Sequence, residues 1–377
     1  MMAYSVSIYL EVDKYSVYLE LAMSQLSVPQ PSSPQPEPIT LIGAPPSPYT
    51  RKMVALLRYR HIAYRIIWGS PDAVLTQMGI AKPKVALLPT FILPDESGEM
   101  QAVCDSTPII RRLESEHQGR SVIPDDPAMA FIDYLLEDFA DEWCTKYMFH
   151  YRWHHEADAD NAGTLLPLVH QVNLPAEQFN QFKPHITQRQ IGRLHVVGSN
   201  DETAPLIDTS YERLLGALES HLALQPYLMG NRPGASDFAL FGQLTQLIGF
   251  DPTPRAISHR LSPRAVAYTT VMEDQTGINP CANDWNTTET APDSLKAILK
   301  EVGHVYAPAL LANARALQAG ESSWQIEIDG SVWAQQTFNY QGKCLQWINA
   351  EYQALTGAER ARVDAVLEGT GCEQVIL

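Results

Sequence analysis

Little in this sequence points to a membrane, to nucleic acid or to an oxidising compartment. No uncharged apolar run approaches the roughly 18 residues that a spanning helix needs. The best stretch, 238–250, is shorter and carries Gln243 and Gln246. Positive charge is scarce: 27 Lys and Arg stand against 43 Asp and Glu, a formal net charge of -16. That is the wrong sign for a phosphate backbone or an anionic leaflet, so neither nucleic acid nor membrane is an expected partner. Cys104, Cys144, Cys281, Cys344 and Cys372 are odd in number and scattered, with no C-x-x-C pair and no Cys/His cluster of zinc spacing. A reducing cytoplasm is the expected location, and no metal is expected. The first residues lack a basic segment, and Glu11, Asp13, Lys14 and Glu20 interrupt the apolar ones, unlike a secretory signal. Met23 precedes a polar, proline-rich stretch, and residues 1–22 are read as an upstream extension from a misplaced start.

What is present is 377 residues, 45% of them hydrophobic and 19% charged. That suffices for two globular domains with a core each and excludes a disordered chain. Residues 28–38 read V-P-Q-P-S-S-P-Q-P-E-P, a linker in which the prolines supply no N–H and bias their neighbours to extended conformations. Segment 1–38 is therefore expected to be disordered or extended. An apolar run at 39–42 precedes helical spacing over 50–61, with Met53, Val54, Leu56 and Leu57 inward and Arg51, Lys52, Arg58 and Arg60 outward. A second apolar run at 63–68, a short helix at 71–78, a hairpin of 90–93 with 100–103 and a helix over 106–117 complete a small α/β unit. The segments 127–158, 206–224, 234–248 and 263–273 carry 3.6-residue apolar spacing, each expected to be one helix of an all-helical domain. Segment 168–198 has weak periodicity and is not placed. Near the end, Trp324, Ile326 and Ile328 alternate with polar residues, Asp329-Gly330 supplies a turn, and a returning strand is expected over 332–340, then a helix over 342–352.

Three short segments of the α/β unit carry candidate chemistry. Ser47-Pro48-Tyr49-Thr50 stands between the first strand and the first helix, with Ser47 suited to the N-cap and Pro48 to the first helical position. A hydroxyl and free N–H groups then converge on one spot that favours an anion and lowers the pKa of a thiol bound there. The segment alone is equally an ordinary capped helix. Leu87-Leu88-Pro89-Thr90-Phe91 puts a proline directly before a strand. Such a proline is tolerated at a strand start or as a cis bond, the latter leaving the Leu88 backbone open to a ligand. Cys104-Asp105-Ser106-Thr107-Pro108 offers a carboxylate and a hydroxyl at another helix start, and by itself is a capping sequence.

In this order and at these separations, the three resemble the thioredoxin-like N-terminal domain of the glutathione transferases. The resemblance makes Ser47-Pro48-Tyr49 a serine-type active-site turn. It makes Pro89 the cis-proline, with Leu88 pairing its backbone to the cysteinyl part of glutathione, and Asp105 and Ser106 the pair holding the γ-glutamyl end. Lys84 lies where many members place a lysine, at a longer spacing than usual. A fourth match, Met229-Gly230-Asn231-Arg232-Pro233-Gly234-Ala235-Ser236-Asp237-Phe238, resembles the start of a buried helix in the same superfamily, with Asp237 at N3 of a capping box and Gly234 in place of the usual Ser or Thr cap. The resemblance spans about residues 39–275. It implies a thioredoxin-like domain over 39–120, a helical domain over 121–277 and a C-terminal α+β extension over 278–377 with a hairpin near 324–340.

What the resemblance implies for function is a cytoplasmic, homodimeric enzyme of detoxification type. Ser47 would hydrogen-bond the glutathione sulfur, and the thiolate would attack an apolar electrophile; Tyr49, Lys84, Leu88, Pro89, Asp105 and Ser106 would bind glutathione as co-substrate. With neither Ser47 nor Thr50 a cysteine, mixed-disulfide chemistry is disfavoured. The alternative is a non-catalytic ligand-binding or protein-interaction module on the same fold, with the extension as partner surface or cover. Phe131, Tyr134, Phe139, Trp143, Tyr147, Phe149, Tyr151 and Trp153 crowd the first long helix; most are expected in the core, some in an apolar second-substrate pocket. His150, His154 and Asp158 recur every four residues with Arg152 alongside, and read as a solvated polar face rather than a metal edge.

Overall fold

The computed structural model describes residues 37–376. The expectations for the N-terminal segment and for a start at Met23 therefore lie outside the described residues, apart from residues 37 and 38. The α/β unit runs β1 (Ile39–Gly43), α1 (Pro48–Tyr59), β2 (Tyr64–Trp68), α2 (Pro71–Met78), β3 (Thr90–Pro94), β4 (Met100–Val103) and α3 (Ser106–Glu116). The crossover through α1 makes β1 and β2 parallel, with Ile39 beside Tyr64 and Gly43 beside Trp68. β3 pairs antiparallel with β1 and with β4, giving the order β2-β1-β3-β4. This is a thioredoxin-like sheet. The apolar face of α1, with Met53, Leu56 and Leu57, shares a core with Leu41, Phe91, Ile109 and Leu113.

Helices α4 (Pro127–Glu142), α5 (Cys144–His154), α6 (Glu156–His170), α7 (Ala176–Ile191), α8 (Ala204–Leu222), α9 (Ala235–Leu247), α10 (Pro252–Leu261) and α11 (Pro263–Val271) follow. The single helix expected over 127–158 is three. Trp143, at φ -96° and ψ -47°, is a turn residue between α4 and α5, where Lys146 N bonds its carbonyl at the tighter three-residue spacing, and His155 is extended at φ -88° and ψ 133°. The unplaced segment 168–198 contains α7 and a 3-10 turn, Leu194–Val197. Asp237 does what its position predicts: its carboxylate accepts from Gly234 N at 2.9 Å, and also from Leu228 N at 2.9 Å and Tyr268 Oη at 2.8 Å.

The C-terminal extension is α+β and mostly helical. Helix α12 (Asp293–Glu301) runs through a π turn into α13 (Ala307–Ala319), a span that apolar spacing did not disclose. The hairpin β5 (Ser323–Ile328) and β6 (Ser331–Gln336) turns at Asp329 and Gly330, both at positive φ, as the Asp-Gly pair requires. The returning strand is shorter than expected: β6 stops at Gln336 and α14 (Asn339–Ala354) begins in its place, followed by α15 (Gly357–Leu367). The extension shares the main core. Trp333 is fully buried with its ring 5.1 Å from that of Trp143, and Tyr306 lies 6.0 Å from Phe139.

Helix α9 crosses the start of α1 at close range. A Cβ on Gly242 would stand 2.4 Å from the Pro48 carbonyl oxygen, backbone that cannot step aside. Gly242→Ala should therefore cost ~1–3 kcal/mol of stability, read from the shift of the denaturant midpoint. A midpoint within error of the parent would show that the two helices separate freely.

Candidate functional site

The first turn of α1 is built from its cap outward. Ser47 Oγ accepts from Thr50 N at 3.1 Å, and Thr50 Oγ1 in turn accepts from Ala44 N at 3.3 Å. From the helical side, Arg152 grips Asp251 with Nε at 3.0 Å from Oδ2 and reaches the Pro46 carbonyl at 3.5 Å. Ser47 is fully buried, and it is not among the residues that line the neighbouring cavity. The Leu88-Pro89 peptide is cis. Among the described residues nothing hydrogen-bonds the Leu88 backbone N–H or C=O. Asp105 caps α3 at φ 84°, a left-handed conformation that a residue other than Gly rarely adopts.

These pieces meet at one cavity. Tyr49, Leu88, Pro89, Asp105 and Ser106 line it, opposite Thr145 and Lys146 of α5 and Asp141 and Glu142 of α4. Lys84 does not reach it; its side chain is exposed on the loop before Pro89. The expected aromatic lining is also absent: the eight aromatics from Phe131 to Trp153 are all buried in the core, and the helices turn polar residues to the cavity. Its apolar surface comes instead from Leu87, Leu88, Val196, Val197 and Phe338. The extension supplies the remaining wall with Gln335, Phe338, Tyr340 and Gln341. Tyr340 Oη donates to Asp105 Oδ2 at 2.8 Å, across 235 residues of sequence.

Under the cavity lies a buried ion cluster. Lys52 on α1 has no solvent exposure and donates to Asp141 Oδ2 at 2.6 Å, Glu137 Oε1 at 2.8 Å and Ser106 Oγ at 3.0 Å. The face expected to be solvated around His150 is buried as well. His150, Arg152 and Asp158 are covered: His150 meets Ser199, Arg152 pairs with Asp251, and Asp158 caps α10 by accepting from Thr253 N at 2.8 Å.

Two family models match the sequence. One, glutathione S-transferase, N-terminal domain, covers residues 41–121, and the other, glutathione S-transferase, C-terminal domain, covers residues 201–270. The chain belongs to the glutathione transferase superfamily. The two domains stand in the superfamily's order, with the extension beyond them. Among solved structures, a glutathione S-transferase from Methylobacterium radiotolerans in complex with glutathione sulfonate is 18% identical over 65% of this chain and 99% of that one, TM-score 0.34. A glutathione transferase family member from Pseudomonas fluorescens with bound glutathione is 20% identical over 63% and 95%, TM-score 0.34. The β-etherase LigF from Sphingobium is 15% identical over 66% and 98%, TM-score 0.37. No curated protein matches the chain. No helix of the described residues is long and apolar enough to cross a membrane.

The charge balance of this superfamily member's cavity follows from burial. Burial opposes the charge on Lys52, but Asp141 and Glu137 outweigh it and hold the ammonium up at about 12. Burial opposes the charge on Glu137, but Lys52 and Arg111 together hold it below its ordinary range, while burial pushes Asp141 up to about 6. Burial likewise raises Asp105 despite the Tyr340 bond, lifts Asp138 to about 7 and Glu142 to about 8, and brings Lys146 down to about 8.

A carboxyl raised in the folded state adds stability that is complete below its unfolded pKa and is lost as pH rises through its folded pKa. For Glu142 that loss falls between the ordinary carboxyl range and about 8. Glu142→Gln keeps the shape and cannot ionise. It should gain about 2 kcal/mol on the parent between about pH 6 and about pH 8, at ~1.4 kcal/mol per unit. Urea titrations at the two pH values check this; parallel pH dependence in both proteins would mean that Glu142 ionises freely.

Proposed function

We propose that this superfamily member binds glutathione at the cavity between α1, α3 and the extension and activates its thiol for attack on an electrophilic, largely apolar second substrate. The observation that carries the reading is the meeting, at one cavity, of the open Leu88 backbone at a cis-proline with Asp105 in its left-handed turn and the start of α3. The cysteinyl backbone would pair with Leu88, the γ-glutamyl ammonium with Asp105, and its carboxylate with Ser106. That placement brings the sulfur toward the first turn of α1, where the helix dipole favours a thiolate. Ser47 is the proposed donor to that sulfur. A capping hydroxyl accepts from the backbone and still holds its own proton to donate. Mixed-disulfide chemistry is disfavoured, since the turn carries Ser47 and Thr50 and no cysteine.

One observation favours a second reading, a ligand-binding module without turnover. With the extension seated, the cavity holds about 100 Å³, well short of the roughly 300 Å³ at which small-molecule pockets begin. Tyr340 also occupies the carboxylate that an ammonium would need. Glutathione must therefore displace Tyr340, and the energy of that step weakens binding in proportion.

Titration with glutathione near pH 7, followed by the ultraviolet band of the thiolate, separates the readings. The expected result is a saturable band, with Tyr340→Phe binding several-fold more tightly and reaching the same final intensity. Saturable binding by calorimetry with no thiolate band supports the module without turnover. No saturable binding by either protein would remove glutathione altogether.

Ser47→Ala tests the donor. Loss of the cap should cost ~1 kcal/mol of stability, while the thiolate fraction and turnover fall more than tenfold and glutathione affinity changes little. Turnover equal to that of the parent would leave Ser47 as a cap alone.

A further inference from the structure

One turn along α5 from the cavity-lining Lys146, three polar atoms converge without hydrogen-bond partners. His150 lies in the last turn of α5, His155 at the extended residue that joins α5 to α6, and Asp208 in the second turn of α8. One ligand atom from each lies within 4.8 Å of the others. His150 Nε2, His155 Nε2 and Asp208 Oδ1 are all buried, and none of them makes a hydrogen bond among the described residues. The nearest approach, His150 Nε2 to Asp208 Oδ1, is 3.7 Å, too long for a hydrogen bond. Buried polar atoms are rarely left unpaired, and three aimed at one point call for a shared partner.

We propose that His150, His155 and Asp208 bind a divalent transition metal ion, of which zinc is the best-matched class. Two neutral imidazoles and one carboxylate form a borderline-soft donor set that suits zinc, and three protein ligands leave one position for water. The side chain of Asp208 is 41% exposed, which opens the site to solvent on one side. Tetrahedral ligand atoms held about 2.0–2.2 Å from zinc stand roughly 3.3–3.5 Å apart, so the separations, all within 4.8 Å, must close by at most about 1.5 Å to complete the site. The outer shell supports the assignment. His150 is itself fully buried, and its Nδ1 lies 2.8 Å from Ser199 Oγ, which fixes the ring with Nε2 toward the cluster. Such bonds to the second ring nitrogen orient metal-binding histidines. The Tyr151 hydroxyl, also buried and unpaired, faces the same Asp208 carboxylate.

This assignment departs from the expectation of a metal-free chain and names other partners than those that helical spacing nominated. His154 stacks on His150 at 4.6 Å between ring centres but is not in the converging set, and Asp158 is committed to capping α10. The site also bears on the cavity. Thr145 and Lys146 line the cavity from the same helix as His150, and the 3-10 turn bearing Val196 and Val197 runs into Ser199. A bound ion would brace α5 against α8 behind that wall. The inference does not depend on glutathione binding.

The test uses the full chain, stripped with chelator and titrated with zinc. Expected are one zinc ion per chain by calorimetry and elemental analysis, a raised melting temperature, and a visible d–d band with cobalt that zinc displaces. His155→Ala and Asp208→Asn, both at half-buried positions, should each weaken zinc binding at least 100-fold, with circular dichroism confirming the fold. Ser199→Ala keeps every ligand atom and should weaken binding ~10-fold, the range for outer-shell partners. No uptake by the parent, or uptake unchanged in both ligand variants, overturns the site. The first result would assign the three atoms to buried water and the second would place the metal elsewhere.

Discussion

Lys52 organises this molecule. One ammonium without solvent exposure ties α1 to Ser106 at the start of α3 and to Glu137 and Asp141 of α4. A buried charge cannot be left alone: removing one partner of such a cluster typically costs ~3–5 kcal/mol, although the intact cluster contributes little net stability over an apolar one. What the cluster supplies is register. It holds the two helix starts that carry the site at a fixed distance from α4, and Tyr49 reinforces the joint by donating to the Asp141 carbonyl at 2.7 Å. The close contact of Gly242 with Pro48 serves the same end from the other side, seating α9 on the first turn of α1.

The extension completes that arrangement rather than decorating it. Trp333 fills the corner between Trp143 and Gly198, where a Cβ would stand 2.4 Å from the indole, and Tyr306 donates to Asp138 at 2.6 Å. Gln335 bridges Lys146 at 3.1 Å and the carbonyl of Val196. Residues beyond the two superfamily domains thus set the width and the polarity of the cavity. The first break in the expected long helix falls at Trp143, whose indole packs with Trp333 and Tyr306 in the shared core.

Much of this was legible in the sequence because it is local. A Ser-Pro pair after a strand, a proline before the next strand and an Asp-Ser pair before a helix are short-range signals, and the structure brings Tyr49, Leu88, Pro89, Asp105 and Ser106 to one cavity. What escaped depends on distant chain. The burial of Ser47 is imposed by Arg152 and α9, and Tyr340 meets Asp105 only after the extension has folded back. The His150 cluster shows the same limit. Four-residue spacing selects neighbours on one helix, yet the atoms that converge come from a helix end, an extended joint and a different helix. Arg152 and Asp158, charged and expected outside, were placed inside by partners on the α9–α10 segment, Asp251 and Thr253.

Asp105 links the closure of the cavity to its chemistry. Under Tyr340 the carboxyl is buried, which raises its pKa, while the hydrogen bond from the phenol and the charge of Lys52 pull it back down. Removal of the extension from this spot would return water to the carboxyl and take away the phenol's hydrogen bond, leaving the carboxylate oxygen open to an ammonium. A ligand bearing an ammonium and a thiol would thus be recognised through the carboxylate that Tyr340 covers. Glutathione carries both groups, and its own carboxylates would sit near Ser106 and Lys146 rather than against Asp105. A neutral apolar ligand has no claim on that charge and would leave Tyr340 in place. On the proposed reading, Tyr340 therefore acts as a filter on the first substrate, and the electrophile enters only a cavity that glutathione has already opened.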